Sequence, residues 1–313
     1  MKRILVPTDF SPNAQSALRM AVDIASRSKG TIILFHVYIP IESPFVDTKI
    51  KRNQHNTETE TIIMKQLQRL KKKVLKEVSN VNISTIVGRS PLINNILGFA
   101  EHNDIDLIVM GTKGTSGIRK VLVGSVAAKI VQKADIPVLL IPEEYEQTEL
   151  DLIVFASDLH LSDQQALSRT LTFSKLYNVT VTVVHLLDPD ISEKKSLKEK
   201  NDFDSYAYYM QREFNRDNLK FQLLETSPGL DKIETLYKEI PYNILVMVRR
   251  KKSFFQKIFS GSLTQTTACM AKRPLLIIPA IGKPIEKETK EKDNTNHILN
   301  KIIVKKLNYE SKK

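Results

Sequence analysis

Directly after the apolar run Ile105 to Met110 the chain reads GTKGTSGIRKVLVGS, residues 111–125: Gly111 and Gly114, a nine-residue spacer from Thr115 to Val123, then Gly124-Ser125 followed by Val126. A strand that ends in glycines and restarts as a helix leaves backbone N–H groups bare, with no Cβ to block approach and the positive end of a helix turned outward. That arrangement grips phosphate, and the expected ligand is a nucleotide, ATP. The spacing does not match G-x-x-x-x-G-K-[ST] or G-x-G-x-x-G, so neither of the commoner phosphate loops is present. Lys113, Arg119 and Lys120 add positive charge to the same stretch.

A second candidate patch lies near the start of the chain. The apolar run Ile4 to Thr8 ends in Asp9, and Ser11-Pro12 then opens a helical pattern, with Ser as N-cap and Pro at the first helical position. Pro7, Thr8 and Asp9 are therefore expected at the carboxyl end of a strand. Ligands of open α/β sheets bind outside the carboxyl ends of strands at the point where strand order reverses, so this turn and the glycine loop are expected to face one crevice.

The elements that would hold both patches occur twice. Ile4 laid on Ile153, an offset of 149, also lays Asp9 on Asp158, Ala17-Leu18 on Ala166-Leu167 and His36 on His185. Further on, an offset of 137 matches Pro91 with Pro228, Val109-Met110 with Val246-Met247, Gly124-Ser125 with Gly261-Ser262 and Pro142 with Pro279. The chain is two copies of one domain, the second twelve residues shorter (149 less 137) between about residues 185 and 228. Each copy reads as strand, helix, strand, long connection, strand, helix, strand, helix, strand. In the first, strands are expected at 3–7, 31–38, 82–87, 107–110 and 138–141. Short, non-alternating apolar runs are those of parallel strands covered on both faces. Ala14, Ala17, Leu18, Ala21 and Ile24 give the first helix one apolar face. The segment 44–58 reads as a polar connection and 59–78 as a charged amphipathic helix. Phe203, Ala207 and Met210 form a core stripe at helical spacing. The expected fold is two tandem doubly wound α/β domains, at 1–145 and 149–280, with a charged tail at 281–313.

The string G-x2-G-x9-G-[ST] and the Pro7-Thr8-Asp9 turn, together with the repeat, resemble the universal stress protein family in a tandem form, over about residues 1 to 280. The resemblance implies five-stranded, adenine nucleotide alpha hydrolase-like units with strand order 3-2-1-4-5 that pair through their last strands. Here that pairing is expected internally, VLLI at 138–141 beside LLII at 275–278, as a pseudo-dimer that protects two apolar edges. Further homodimerisation stays open. The resemblance also implies that Pro7, Thr8 and Asp9 meet the adenosine and Val37 meets the adenine through its backbone. On the same grounds Met110 and Gly111 line the ribose, while Gly114, Gly124, Ser125 and Val126 hold the phosphates, any Mg²⁺ riding on those phosphates. Protein partners are unknown from the sequence.

The copies differ where the chemistry is expected. Gly111 and Gly114 become Val248 and Lys251, the second loop reads VRRKKSFFQKIFSGS, and Pro7-Thr8 becomes Ala156-Ser157. Valine and lysine do not replace glycines that lie against a phosphate. The second copy is therefore expected not to bind ATP in the same manner, the alternative being that its Arg-Arg-Lys-Lys cluster holds phosphate by side-chain charge.

Composition narrows the class. With 47 Lys and Arg against 35 Asp and Glu the net charge is +12, but the charge forms no single stripe and no aromatic stacking platform accompanies it, so nucleic acid is not the expected partner. Nine lysines against five acidic residues in 283–313 supply part of the excess. No apolar run reaches about 18 residues, so no membrane span is expected and a cytoplasmic location follows. The single Cys269 agrees with a reducing compartment and reads as a packed small hydrophobe. His36 reads as a fold position, because His185 repeats it. No H-E-x-x-H, paired-Cys or EF-hand spacing occurs, so no protein-built metal site is expected. The expected role is a nucleotide-binding stress-response protein with no catalytic residues. The rivals are a slow ATP-hydrolysing or phosphate-transferring enzyme and a nucleotide-independent scaffold.

Overall fold

The computed structural model describes residues 1–45, 47–112, 124–143, 145–146, 149–225, 232–250 and 273–280. Gly114, the basic residues at 113, 119 and 120, Cys269, the second glycine-serine loop and the tail lie outside the described residues.

The first lobe runs β1 (Arg3–Pro7), α1 (Pro12–Ser28), β2 (Thr31–Tyr38), α2 (Lys49–Glu77), β3 (Asn82–Arg89), α3 (Leu92–His102), β4 (Leu107–Gly111), α4 (Ser125–Lys133) and β5 (Val138–Ile141). The second runs β6 (Leu152–Ala156), α5 (Asp163–Ser174), β7 (Thr180–Leu187), α6 (Glu193–Phe214), β8 (Leu219–Glu225), α7 (Lys232–Glu239), β9 (Ile244–Arg249) and β10 (Leu275–Pro279). All ten strands join in one sheet, in the order β3-β2-β1-β4-β5-β10-β9-β6-β7-β8. Within each lobe the pairs are parallel and the order is 3-2-1-4-5. The lobes meet where β10 pairs antiparallel with β5, Leu275 opposite Leu140 and Ile277 opposite Val138. The two apolar edges foreseen from VLLI and LLII thus close on each other, and the antiparallel sense follows from a two-fold relation between the copies.

Alternation along the strands divides the core between two sheet faces. Ile4, Val6, Leu139, Ile141, Leu276 and Ile278 pack under α1, α2, α5 and α6. Leu5, Val138, Leu140, Leu275 and Ile277 pack under α3, α4 and α7. Both cores run through the lobe junction, so residues on either side bury the same apolar surface, each fully buried Leu or Ile contributing about 1.5–3 kcal/mol. Helix α1 keeps its foreseen face: Ala14, Ala17, Leu18, Ala21 and Ile24 are all buried, and Ser11 accepts the Ala14 N–H at 3.1 Å.

Two expectations are corrected. The stretch 44–58 is not all connection, because α2 begins at Lys49 and continues for 29 residues. Thr48 caps it, and the buried Asn56 side chain accepts from Ile41 N at 2.9 Å and donates to Ile41 O at 3.1 Å, tying the early helix to the end of β2. The stripe on α6 is Phe203, Tyr206 and Met210, spaced three and four apart, with Ala207 off its centre.

Helix α2 is also held by charge. The Glu60 carboxylate accepts from the Tyr38 hydroxyl at 2.7 Å and pairs with the Arg89 guanidinium at 2.8 Å. The Tyr38 hydrogen bond, then Arg89, hold its carboxyl below the ordinary 4.5. The contribution is complete where folded and unfolded chains are both ionised, above 4.5, and vanishes as pH falls through the depressed folded value. Glu60→Gln is therefore expected to lower stability at pH 7 by less than about 1 kcal/mol, since the pair is partly solvated, and to have a smaller effect at a pH well below 4.5. Urea unfolding at the two pH values checks this.

Candidate functional site

The crevice is where the two halves of the first lobe part. β1 is flanked by β2 on one side and β4 on the other, which makes the β1–β4 boundary the switch point. Their register joins Ile4 to Leu107 and Leu5 to Ile108. Pro7 has no N–H with which to extend a ladder. In the second lobe the corresponding boundary is registered over four pairs, from Ile153–Ile244 to Ala156–Met247.

The Pro7-Thr8-Asp9 turn on one side of this boundary is built by its own side chains. Thr8 N donates to Phe35 O at 2.9 Å, the Thr8 hydroxyl accepts from Phe10 N at 3.1 Å, and the Asp9 carboxylate accepts from Ser11 N at 3.0 Å. Phe10 is left-handed at φ 66° and its ring stacks on His36 at 4.9 Å. His36 lies beside Val37 on β2, and its Nδ1 lies 2.7 Å from Thr8 O. A carbonyl only accepts, so Nδ1 carries the proton. The second lobe repeats the device: His185 Nδ1 stands 2.9 Å from Ser157 O, and Leu159 has φ 58°. Both histidines are turn anchors, as their shared position implies.

On the other side Met110, Gly111 and Thr112 are buried, and Thr112 O accepts from Gly124 N at 2.5 Å. This bond starts α4 at the carboxyl end of β4. Gly124 is its N-cap with extended angles, and among the described residues no side chain caps that end. The first-turn amides, including those of Ser125 and Val126, have no intrahelical acceptor, so the cradle fits an anion. The elements thus bring Pro7, Thr8, Asp9, Met110, Gly111, Gly124, Ser125 and Val126 around the carboxyl ends of β1 and β4, with Val37 on neighbouring β2.

Gly111 has a second reason to be glycine. A Cβ there would stand 2.4 Å from Asn13 Oδ1, 2.7 Å from its Cγ and 3.1 Å from its backbone carbon. Asn13 is 2% exposed and its amide lies 3.5 Å from the Thr112 hydroxyl. Sequence reasoning passed over Asn13, although its position four before Ala17 marks a polar residue on the apolar face of α1.

The second crevice contains its own side chains. Asp163, fully buried, stands where the first lobe has Ala14. It accepts from the Ser157 hydroxyl at 2.9 Å and forms an ion pair with Arg250, which stands at the position of Lys113. Burial pushes the Arg250 guanidinium down to about 10, against the opposing charge of Asp158, so it remains a cation at neutral pH. Tyr206 of α6 adds a buried phenol, its pKa raised by burial while the nearby Ser157 opposes the shift. Arg249 reaches in the other direction, to the carbonyls of Gln132 and Ala134. Two arginines of the basic cluster are thereby engaged internally.

These features define a tandem doubly wound α/β protein with an uncapped helix start, among the described residues, at one switch point and a buried ion pair at the other. The profile of the universal stress protein family matches residues 1–142 and again 150–279, and the chain belongs to that family. Over 142 residues it is 33% identical to universal stress protein MJ0531 of Methanocaldococcus jannaschii, covering 45% of this chain and 81% of that one. Over 154 residues it is 28% identical to YxiE of Bacillus subtilis, covering 44% and 97%. A universal stress protein structure from Archaeoglobus fulgidus matches at a TM-score of 0.61 and 17% identity over 89% of this chain and 96% of that one, a likeness of fold. Among the described residues no helix is long and apolar enough to cross a membrane.

Proposed function

We propose that this chain is a cytoplasmic stress-response protein whose first lobe binds an adenine nucleotide, ATP first, and whose second lobe is structural or regulatory. The observation that carries the reading is the contrast at the two switch points: beside β1 and β4, α4 starts with no side-chain cap among the described residues, whereas in the second lobe the buried Asp163 pairs with Arg250. In this reading Pro7, Thr8 and Asp9 meet the adenosine, and Val37 meets the adenine through its backbone. Met110 and Gly111 line the ribose, and Gly114, Gly124, Ser125 and Val126 hold the phosphates, with any Mg²⁺ carried by them. Binding shifts the population of a partner-competent form, to the extent that the two forms differ in affinity.

Nucleotide released by heating the purified chain and analysed by chromatography tests this directly. ATP is the expected product. ADP accompanied by steady turnover of added ATP replaces the binding module with an enzyme, and no nucleotide even after incubation with ATP removes the reading. Gly114→Asp, which sets bulk and a negative charge in the phosphate path, is expected to weaken ATP binding more than about tenfold.

A further inference from the structure

Helix α4 has nine residues, Ser125–Lys133, fewer than an isolated helix needs to persist in water. Its first turn lies at the carboxyl end of β4, and its last turn is held from the other lobe. The guanidinium of Arg249, at the end of β9, donates to Gln132 O and, at 2.6 Å, to Ala134 O, with the Asp135 carboxylate at 3.6 Å. Carbonyls of a last helical turn lack intrahelical donors and form the negative end of its dipole, so a cation there satisfies both. The Arg249 side chain is 20% exposed, and burial draws its pKa down while Asp135 opposes the shift.

Consecutive side chains of a strand point to opposite faces of its sheet. Arg249 accordingly reaches the face carrying α4, and Arg250 the face carrying α5, where it pairs with Asp163. One dipeptide ties the far end of the phosphate-side helix to the filled crevice of the second lobe. An offset of 137 puts Thr112 at the place of Arg249, and Thr112 is engaged with Asn13 in its own lobe and is too short to span the junction.

We propose that Arg249 is a positioning residue for the nucleotide site: gripping the carboxyl end of α4 from the second lobe, it holds the amino end ready for phosphate and makes the first site responsive to the second lobe. This rests on the nucleotide reading above. A helix already formed at one end loses less freedom when an anion orders the other, so affinity rises with the fraction of time the helix is preformed. Anion and cation favour the same helical state from opposite ends of one dipole. The coupling is reciprocal, so nucleotide must also steady the Arg249 contact.

Calorimetric titration of the full chain with ATP tests the assignment. Arg249→Met is expected to weaken ATP about fivefold and to speed amide exchange at residues 130–135, and Arg249→Lys, which returns a cation for one carbonyl, to recover part of both. Wild-type binding with unchanged affinity in Arg249→Met overturns the inference and leaves the nucleotide reading standing. A wild-type chain that binds no ATP overturns both. Wild type alone gives a second measure, independent of whether the Met variant folds: saturating ATP must slow exchange at residues 132–135 and in β9. Unchanged exchange there in a chain that binds ATP overturns the inference.

Discussion

Asp163→Ala is expected to destabilise the chain by up to about 3–5 kcal/mol, because it removes the buried carboxylate that pairs with the Arg250 cation and leaves Asp158 as an opposing charge. Asp163 is 0% exposed and the Arg250 side chain 14% exposed, so little water is at hand to replace the lost partner. Arg250→Met should cost a similar amount by stranding the carboxylate, whose remaining contact is the Ser157 hydroxyl. The double variant Asp163→Ala with Arg250→Met is the informative one. It gives the second lobe the alanine that the first lobe carries at Ala14, removes both charges, and should recover most of either single loss. Urea unfolding of the four chains measures this. Losses in the double that equal the sum of the singles would show that the two groups do not act as a pair.

That ion pair also shows where sequence reasoning stops. The carboxyl end of β1, the start of α4 and the closure of β5 on β10 were legible because each is written locally, in an apolar run with its turn residues or in a repeat. Asp163 and Arg250 lie 87 positions apart, and nothing local marks either as buried (250 less 163). The signal was present only as a comparison between the copies, Ala14 becoming Asp163 while Lys113 becomes Arg250: a charge entering a core position is matched by a cation of fixed geometry. Arg249 was hidden for the same reason, since its partners are backbone carbonyls in the other copy. The early turns of α2 were missed because Lys49 to Glu58 shows no apolar stripe, and what holds them is a cap at Thr48 and the buried amide of Asn56. Tyr206 rather than Ala207 faces the core because the helix turns by 100° per residue, so the stripe follows three-and-four spacing from Phe203.

Gly111→Ala is expected to cost about 2–3 kcal/mol of stability and to weaken nucleotide binding with it. The added methyl would fall 2.4 Å from Asn13 Oδ1, and Asn13 at 2% exposure is walled in and has no open side to turn toward. The first turn of α1 must then move, and the Asp9 turn that leads into it moves as well, so both sides of the crevice lose their spacing. Asn13→Ala in the same chain removes the Oδ1 and Cγ contacts and leaves only the 3.1 Å approach to backbone carbon, so a double-mutant cycle should return a favourable coupling of at least about 1 kcal/mol. The second lobe tolerates the buried Val248 at this position by a different route. Its helix α5 begins at Asp163, the counterpart of Ala14, whereas α1 begins at Pro12, two residues earlier, and Ser162, the counterpart of the buried Asn13, is exposed. Thermal unfolding of wild type, both single variants and the double reads the cycle; additive losses would mean that Gly111 is glycine for the crevice alone and that Asn13 merely lies nearby.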